Sequence, residues 1–198
     1  MASGLTERDR AKADRQSALL QEAARLFAER GFTGVSLEDL GAAVGVSGPA
    51  VYRHFANKQA LLGAILLRVS ERLRDGGRRV TEAHDDPRSQ LEALVEFHVD
   101  FALAEADVIR VQDRDLASLS EADRHRVRRL QREYVDGWVQ VLSRVHPDRS
   151  DDELRVRALA CFGLINSTPH SVKGVRTTPA DSTVRRILAA MATSALTV

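Results

Sequence analysis

The sequence holds a single cysteine among 198 residues, so it can form no internal disulfide framework and offers no Cys/His cluster with zinc spacing. Cys161 lies in the apolar run Leu159-Ala160-Cys161-Phe162 and reads as a small core residue, which suits a reducing, cytoplasmic setting. No stretch approaches the roughly 18 uninterrupted apolar residues of a membrane span, and Met1 to Gln16 is polar without the apolar segment of a signal peptide. Runs of alternating apolar and polar residues flanked by hairpin turns are missing, as is any internal repeat of solenoid period. No glycine-rich phosphate loop follows a strand, and nothing marks a catalytic nucleophile, so an enzyme is not expected. Glu121 and His125, spaced i and i+4, read as a surface contact rather than a metal site. No cofactor is implied.

What is present is enough apolar content, 43%, to bury a core, and apolar residues recurring at helical spacing in almost every segment. The expected fold class is all-α, with about nine helices. A frayed arm over 1–15 precedes a helix defined by Leu19, Leu20, Ala23, Ala24, Leu26 and Phe27, which Gly31 stops. Ser36 opens a second helix, with Asp39 three residues on in a capping-box arrangement and Leu37, Leu40, Ala43 and Val44 facing inward. Gly45 breaks it, Ser47 and Pro49 suit the start of a third helix at about Gly48 to Phe55, and Asn57 caps a fourth that is expected to end near Gly76-Gly77. Later starts are read at Pro87, Asp107, Ser120, Ser150 and Pro179. Charge is uneven: net +1 overall, the basic excess lies in the first part of the chain, which favours a polyanion partner there.

The stretch Ser36 to Phe55 has the form of a helix-turn-helix. Ala42 and Ala43 are small where two helices cross, Gly45 permits the turn, and Val46 and Val51 fill the angle between them. Its second helix would present Ser47, Gly48, Pro49, Ala50, Tyr52, Arg53 and His54 outward, a small leading edge that can enter a major groove followed by aromatic and cationic side chains. The segments Gly31-Phe32-Thr33-Gly34-Val35-Ser36 and Val46 to Leu62 together resemble the N-terminal signature of the TetR family of bacterial transcriptional regulators, a likeness that covers about residues 16–65. That resemblance implies a DNA-binding domain at 16–62, linked by a helix at about 57–76 to a ligand-binding and dimerisation domain at 77–198. It further implies that Ser36, Tyr52, His54 and Lys58 touch phosphates of double-stranded operator DNA, while Gly48, Pro49, Ala50 and Arg53 lie nearest base edges.

The same resemblance implies a homodimer seam built from the helices at about 151–170 and 179–197, with Leu159, Phe162, Gly163, Asn166, Ile187, Leu188, Met191 and Ala195 at or near it. Candidate effector-binding residues are polar or aromatic groups set in apolar stripes: His98, Phe101, Gln112, Tyr134, Trp138, Asn166 and His170. Arg110 and Arg114, with Asp113 and Asp115, read either as a solvated face or as a rim that meets an anionic ligand. The second half resembles an actinobacterial subgroup whose effectors are acyl-CoA or other lipid metabolites, which implies a hydrophobic or acyl-CoA-like effector. The rival reading is a helical ligand-binding dimer that does not bind DNA.

Overall fold

The structure, a computed structural model, describes residues 7–45, 51, 54–172 and 179–198, and the side chains at 8–15 and 169–172 lie outside that description. Among the described residues are eight α-helices: α1 Glu7–Arg30, α2 Leu37–Ala43, α3 Lys58–Glu82, α4 Pro87–Ala104, α5 Ala106–Asp115, α6 Glu121–Val145, α7 Asp151–Val172 and α8 Asp181–Thr197. A 3-10 turn, Leu116–Ser118, joins α5 to α6. The expected helix at about Gly48 to Phe55 falls largely outside the described residues, which there include only Val51, His54 and Phe55.

Local chemistry sets most of the boundaries. Gly31 and Gly45 follow α1 and α2 at φ values of +81° and +70°, a conformation that other residues rarely adopt. The Ser36 hydroxyl accepts from the Asp39 amide at 3.0 Å, and the Asp39 carboxylate accepts from the Ser36 amide at 2.8 Å, completing the capping box of α2. Asn57 accepts from the Ala60 amide at 2.8 Å at the start of α3, Asp86 accepts from the Ser89 amide at 2.9 Å before Pro87, and Ser120 accepts from the Asp123 amide at 3.1 Å before α6. Since Ser36 satisfies a donor that would otherwise have no intrahelical partner, Ser36→Ala is expected to cost about 1 kcal/mol, read from the urea midpoint.

One boundary departs from the sequence reading. Helix α3 does not end at Gly76-Gly77 but runs on to Glu82. A Cβ on Gly77 would lie 2.6 Å from the Tyr134 ring, and one on Gly76 would overlap the Phe97 ring, so both glycines let neighbouring helices approach closely. Their cost in helix propensity, about 1 kcal/mol each, is offset by packing that local sequence does not display.

The chain divides into two compact units. The first comprises 1–68 and 110–125, the second 69–109 and 126–198, so α3, α5 (with residues from 106) and α6 each contribute to both. In the first unit Leu19, Ala23 and Phe27 of α1, Leu40 of α2, Val51, and Leu62 and Leu66 of α3 are buried. In the second, α4 packs against α7 and α8, which also pack on each other. Their buried stripes, Leu91, Val95 and Val99, then Leu154, Ala158 and Ile165, then Leu188, Ala192 and Leu196, keep the period of an amphipathic helix.

Candidate functional site

In the first unit, α3 begins with a cation at the positive end of its dipole, a placement that helix stability alone disfavours. Two contacts hold Lys58 there. Its Nζ donates to the Val35 carbonyl at 2.8 Å and sits 4.6 Å from the centroid of the Phe32 ring. The lysine thereby ties the loop after α1 to the start of α3 and keeps further N–H donors for another partner. Ser36 caps α2, its hydroxyl donating to Asp39 at 2.7 Å, and this hydrogen bond holds the Asp39 carboxyl below the usual carboxylate range. His54 is exposed and its amide donates to the Val51 carbonyl at 2.9 Å, while Val51 and Phe55 are buried beside it. Ser47, Gly48, Pro49, Ala50, Tyr52 and Arg53 lie outside the described residues.

The second unit holds the other candidate site. His98 and Phe101 of α4, Tyr134 and Trp138 of α6 and Phe162 of α7 form one aromatic cluster. The Phe162 ring stacks on the His98 imidazole at 4.5 Å and meets Trp138 edge-on at 5.0 Å. His98 Nδ1 shares a hydrogen bond of 3.1 Å with the Tyr134 hydroxyl. Burial pulls the imidazole pKa down to about 4; an interaction with the Asn166 side chain opposes that shift, although neither His98 Nε2 nor Asn166 Oδ1 reaches hydrogen-bond geometry with any partner. Trp138 Nε1 is likewise buried without a partner in hydrogen-bond geometry, although its side chain interacts with the Tyr134 phenol. Burial also pushes the Tyr134 phenol upward and the Cys161 thiol up to about 11, leaving both neutral.

A cavity of about 490 Å³ opens beside this cluster. Tyr134, Trp138 and Leu94 supply its apolar wall, Gly77 and Gly137 bring backbone to its lining, and Arg74, Arg78, Arg144, Glu82, Glu133 and Gln90 form its charged and polar margin. Its size is that of a small-molecule site. The arginines are braced: Arg74 pairs with Asp75 at 2.9 Å and Arg144 donates to Gln90 Oε1 at 2.5 Å. The fold brings together the sequence candidates His98, Phe101, Tyr134, Trp138 and Asn166; the marginal arginines are not among the candidates, because a helical arginine looks solvated whether or not a cavity lies beneath it. Because the Tyr134 ring is fixed by His98 and Phe162, Gly77→Ala is expected to destabilise by about 1–3 kcal/mol despite its better helix propensity. Gly137→Ala, where nothing lies within 4 Å of the added methyl, should instead stabilise by about 0.5–1 kcal/mol in the same denaturation measurement.

The remaining candidates fall elsewhere. Arg110 is exposed and Gln112 half-buried, both on the part of α5 that belongs to the first unit. Arg114 lies there too, its guanidinium bonded to Asp115 and to the Phe27 and Ala28 carbonyls, the latter at 3.3 Å. It therefore caps the C-terminal end of α1, a structural task, rather than lining the aromatic cavity. His170 is on α7 with its side chain outside the described residues. Phe162, read from sequence as a seam residue, instead packs into the aromatic cluster, and Leu188 is buried within the chain. Leu159, Ile187 and Met191, together with Val156, stay 45–66% exposed and leave an apolar face on α7 and α8.

Residues 19–65 match the family model of bacterial regulatory proteins of the tetR family, and residues 84–170 match that of the tetracyclin repressor-like C-terminal domain. The chain belongs to the TetR family. Among relatives in this family it is 34% identical over 88 residues to the transcriptional activator FasR of Mycolicibacterium smegmatis, covering 44% of this chain and 40% of that one. It is 29% identical over 132 residues to the transcriptional repressor KstR2 of Rhodococcus jostii, covering 66% and 65%. The matched segments thus span less than two thirds of either relative. The TetR regulator PfmR of Thermus thermophilus has a crystal structure that superposes with a TM-score of 0.71 at 26% identity, over 93% of this chain and 95% of that one. TetR members are transcriptional regulators rather than enzymes, and among the described residues no helix is long and apolar enough to cross a membrane.

Proposed function

We propose that this TetR-family chain is a ligand-responsive transcriptional repressor that binds a partly palindromic operator as a homodimer and is released when a hydrophobic or acyl-CoA-like effector enters the cavity beside Trp138. The observation that carries the reading is a cavity of about 490 Å³ whose apolar wall includes Tyr134 and Trp138 of the aromatic cluster, with polar and charged side chains at its margin. An apolar wall with a few convergent polar groups suits a ligand that buries a chain or ring and offers one carbonyl-type acceptor and donor pair. On the DNA side, Ser47, Gly48, Pro49, Ala50, Tyr52, Arg53 and His54 form the groove-facing surface, with Ser36 and Lys58 at phosphates. Arg53 reads a guanine edge. The exposed apolar side chains of α7 and α8 pair with their copies, so that two recognition helices reach major grooves about one turn apart, roughly 34–36 Å.

Helix α3 carries Lys58 at one end and Arg74, Gly77 and Arg78 of the cavity margin near the other. Effector entry repositions this helix, and a coupling of about 1–3 kcal/mol would loosen DNA binding roughly 5- to 150-fold. The chain has one tryptophan, Trp138, so intrinsic fluorescence reports the cavity directly. Titrating acyl-CoA thioesters while following both that fluorescence and the anisotropy of a labelled operator should show quenching and release at the same concentration. Quenching without release would leave the ligand-binding dimer without DNA control. Lys58→Ala should weaken binding to every sequence alike and flatten the salt slope by about one unit, and an unchanged slope would remove Lys58 from the phosphate contacts.

A further inference from the structure

Helix α6 places four arginines, Arg126, Arg128, Arg129 and Arg132, within seven residues of its first half. Arg129 lies 3.7 Å from Glu133, whereas Arg126, Arg128 and Arg132 have no ion pair among the described residues. Arg128 and Arg132 are spaced i and i+4, so they stand one above the other on a single face, where like charges repel. Helix stability gives no reason for that spacing.

Both arginines line a concavity of about 650 Å³ between α6 and α7. Arg155 and Asp136 share this lining and bind each other at 2.7 Å, so their charges cancel locally. Three arginines against one aspartate leave the groove with a net charge of +2, carried by Arg128 and Arg132. Val135, next along the same face of α6, adds an apolar part to the lining, and Leu159 of the proposed seam borders it. The cavity beside Trp138 differs: Arg74, Arg78 and Arg144 stand among Glu82 and Glu133, so its charges are mixed, with Asp136 at the border already paired to Arg155. The two concavities occupy different faces of α6 and share Asp136 as a border. One is mixed in charge with aromatic walls, the other has two unpaired cations on one helix face.

We propose that the α6/α7 groove is a phosphate subsite, which takes the phosphorylated part of an amphipathic small molecule. Two arginines whose attachment points are about 6 Å apart along one helix, from the 1.5 Å rise per residue, can each bind a phosphate oxygen pair bidentately. A diphosphate presents oxygens to both forks, whereas a lone carboxylate satisfies only one. Val135 then lies against the apolar or ring portion next to the phosphates. An indented groove of this volume does not admit a DNA duplex, which needs an extended outward-facing track of cations. The proposal deepens the effector reading above and rests on it for the identity of the complete ligand. It places the anion contact on Arg128 and Arg132 rather than on Arg110 and Arg114, one of whose two sequence readings is a rim that meets an anionic ligand.

Calorimetry with ADP and with pyrophosphate on the full-length protein tests this. Arg128→Gln with Arg132→Gln should weaken both probes about tenfold or more while melting temperature and dimer mass stay unchanged. Arg88→Gln, an exposed arginine on α4, should leave binding as it was. Arg128→Lys with Arg132→Lys keeps the charge without the fork and should bind pyrophosphate more weakly than the parent but better than the glutamine pair. The proposal fails if the parent binds neither probe, if the glutamine variant binds as well as the parent, or if that variant loses its dimer mass, since the arginines would then belong to a contact between copies. Loss of operator affinity without loss of probe binding also overturns it, in favour of a DNA contact. A fatty-acid titration of Trp138 fluorescence separates the two readings: no quenching, with ADP binding still dependent on Arg128 and Arg132, strikes the effector cavity and leaves the phosphate groove standing.

Discussion

Trp138→Ala is expected to lower the free energy of unfolding by about 3–5 kcal/mol, a large share of the roughly 5–15 kcal/mol that holds a domain of this kind together. The indole is fully buried and is the largest such side chain among the described residues. It meets Phe162 at 5.0 Å, His98 at 6.0 Å and Tyr134 at 6.2 Å, all from its edge or face, so its removal leaves the centre of the cluster unfilled. Neighbouring rings cannot collapse into the gap without breaking the hydrogen bond between His98 and Tyr134. Trp138→Phe provides the contrast, because it keeps an aromatic ring and deletes an unpartnered N–H; its cost should stay near or below about 1.5 kcal/mol. Chemical denaturation of both variants decides the matter. A loss under about 1 kcal/mol for Trp138→Ala would mean that the cluster is not the core it is argued to be. If Trp138→Phe keeps its stability but responds more weakly to effector, the indole N–H is a ligand contact rather than packing.

The parts of this fold that sequence made legible are those where a residue acts on its immediate neighbours. Ser36, Asn57, Ser120 and Ser150 cap helices through amides three positions on, and Gly31 and Gly45 take backbone angles that their own lack of a Cβ permits. Such chemistry is written locally, so helix starts and stops could be read. What stayed hidden depends on residues far apart in the chain. Gly76 and Gly77 looked like a helix end by propensity, and only the arrival of Phe97 and Tyr134 shows why α3 continues through them. Arg114 looked like a rim charge, but the carbonyls it caps are more than eighty positions away. Phe162 sits on a helix with one side toward the aromatic cluster and another exposed, and periodicity identifies an apolar position without saying which apolar surface it meets. The aromatic candidates were legible for a different reason. A histidine, a tyrosine and a tryptophan in otherwise aliphatic stripes need polar partners wherever they are buried, and they converge because each can answer another.

That convergence makes His98 the group through which acid should unfold this protein. Its imidazole titrates near 4 when buried and near 6.5 when exposed, since desolvation penalises the charged form. Between these values the unfolded chain binds a proton that the native chain refuses, so stability must fall as pH drops. The contribution is fully present above about pH 6.5, is lost progressively down to about pH 4, and changes no further below that, for a total of about 3 kcal/mol. The carboxyls held low by their partners, Asp39, Asp75, Asp86 and Glu153, act in the same direction but at lower pH, because their stabilisation is lost only as pH falls below their ordinary values. The windows therefore separate. His98→Gln keeps a polar group facing Tyr134 and has no proton to gain, so its urea midpoint should be nearly flat where the parent's declines. Subtracting the two profiles should give a difference that is constant above about pH 7 and moves by about 3 kcal/mol in the variant's favour by about pH 4.5. A difference that stays level across that range would mean His98 accepts a proton in the native state, and the aromatic cluster would then have to be wet and open rather than the dry wall of an effector cavity.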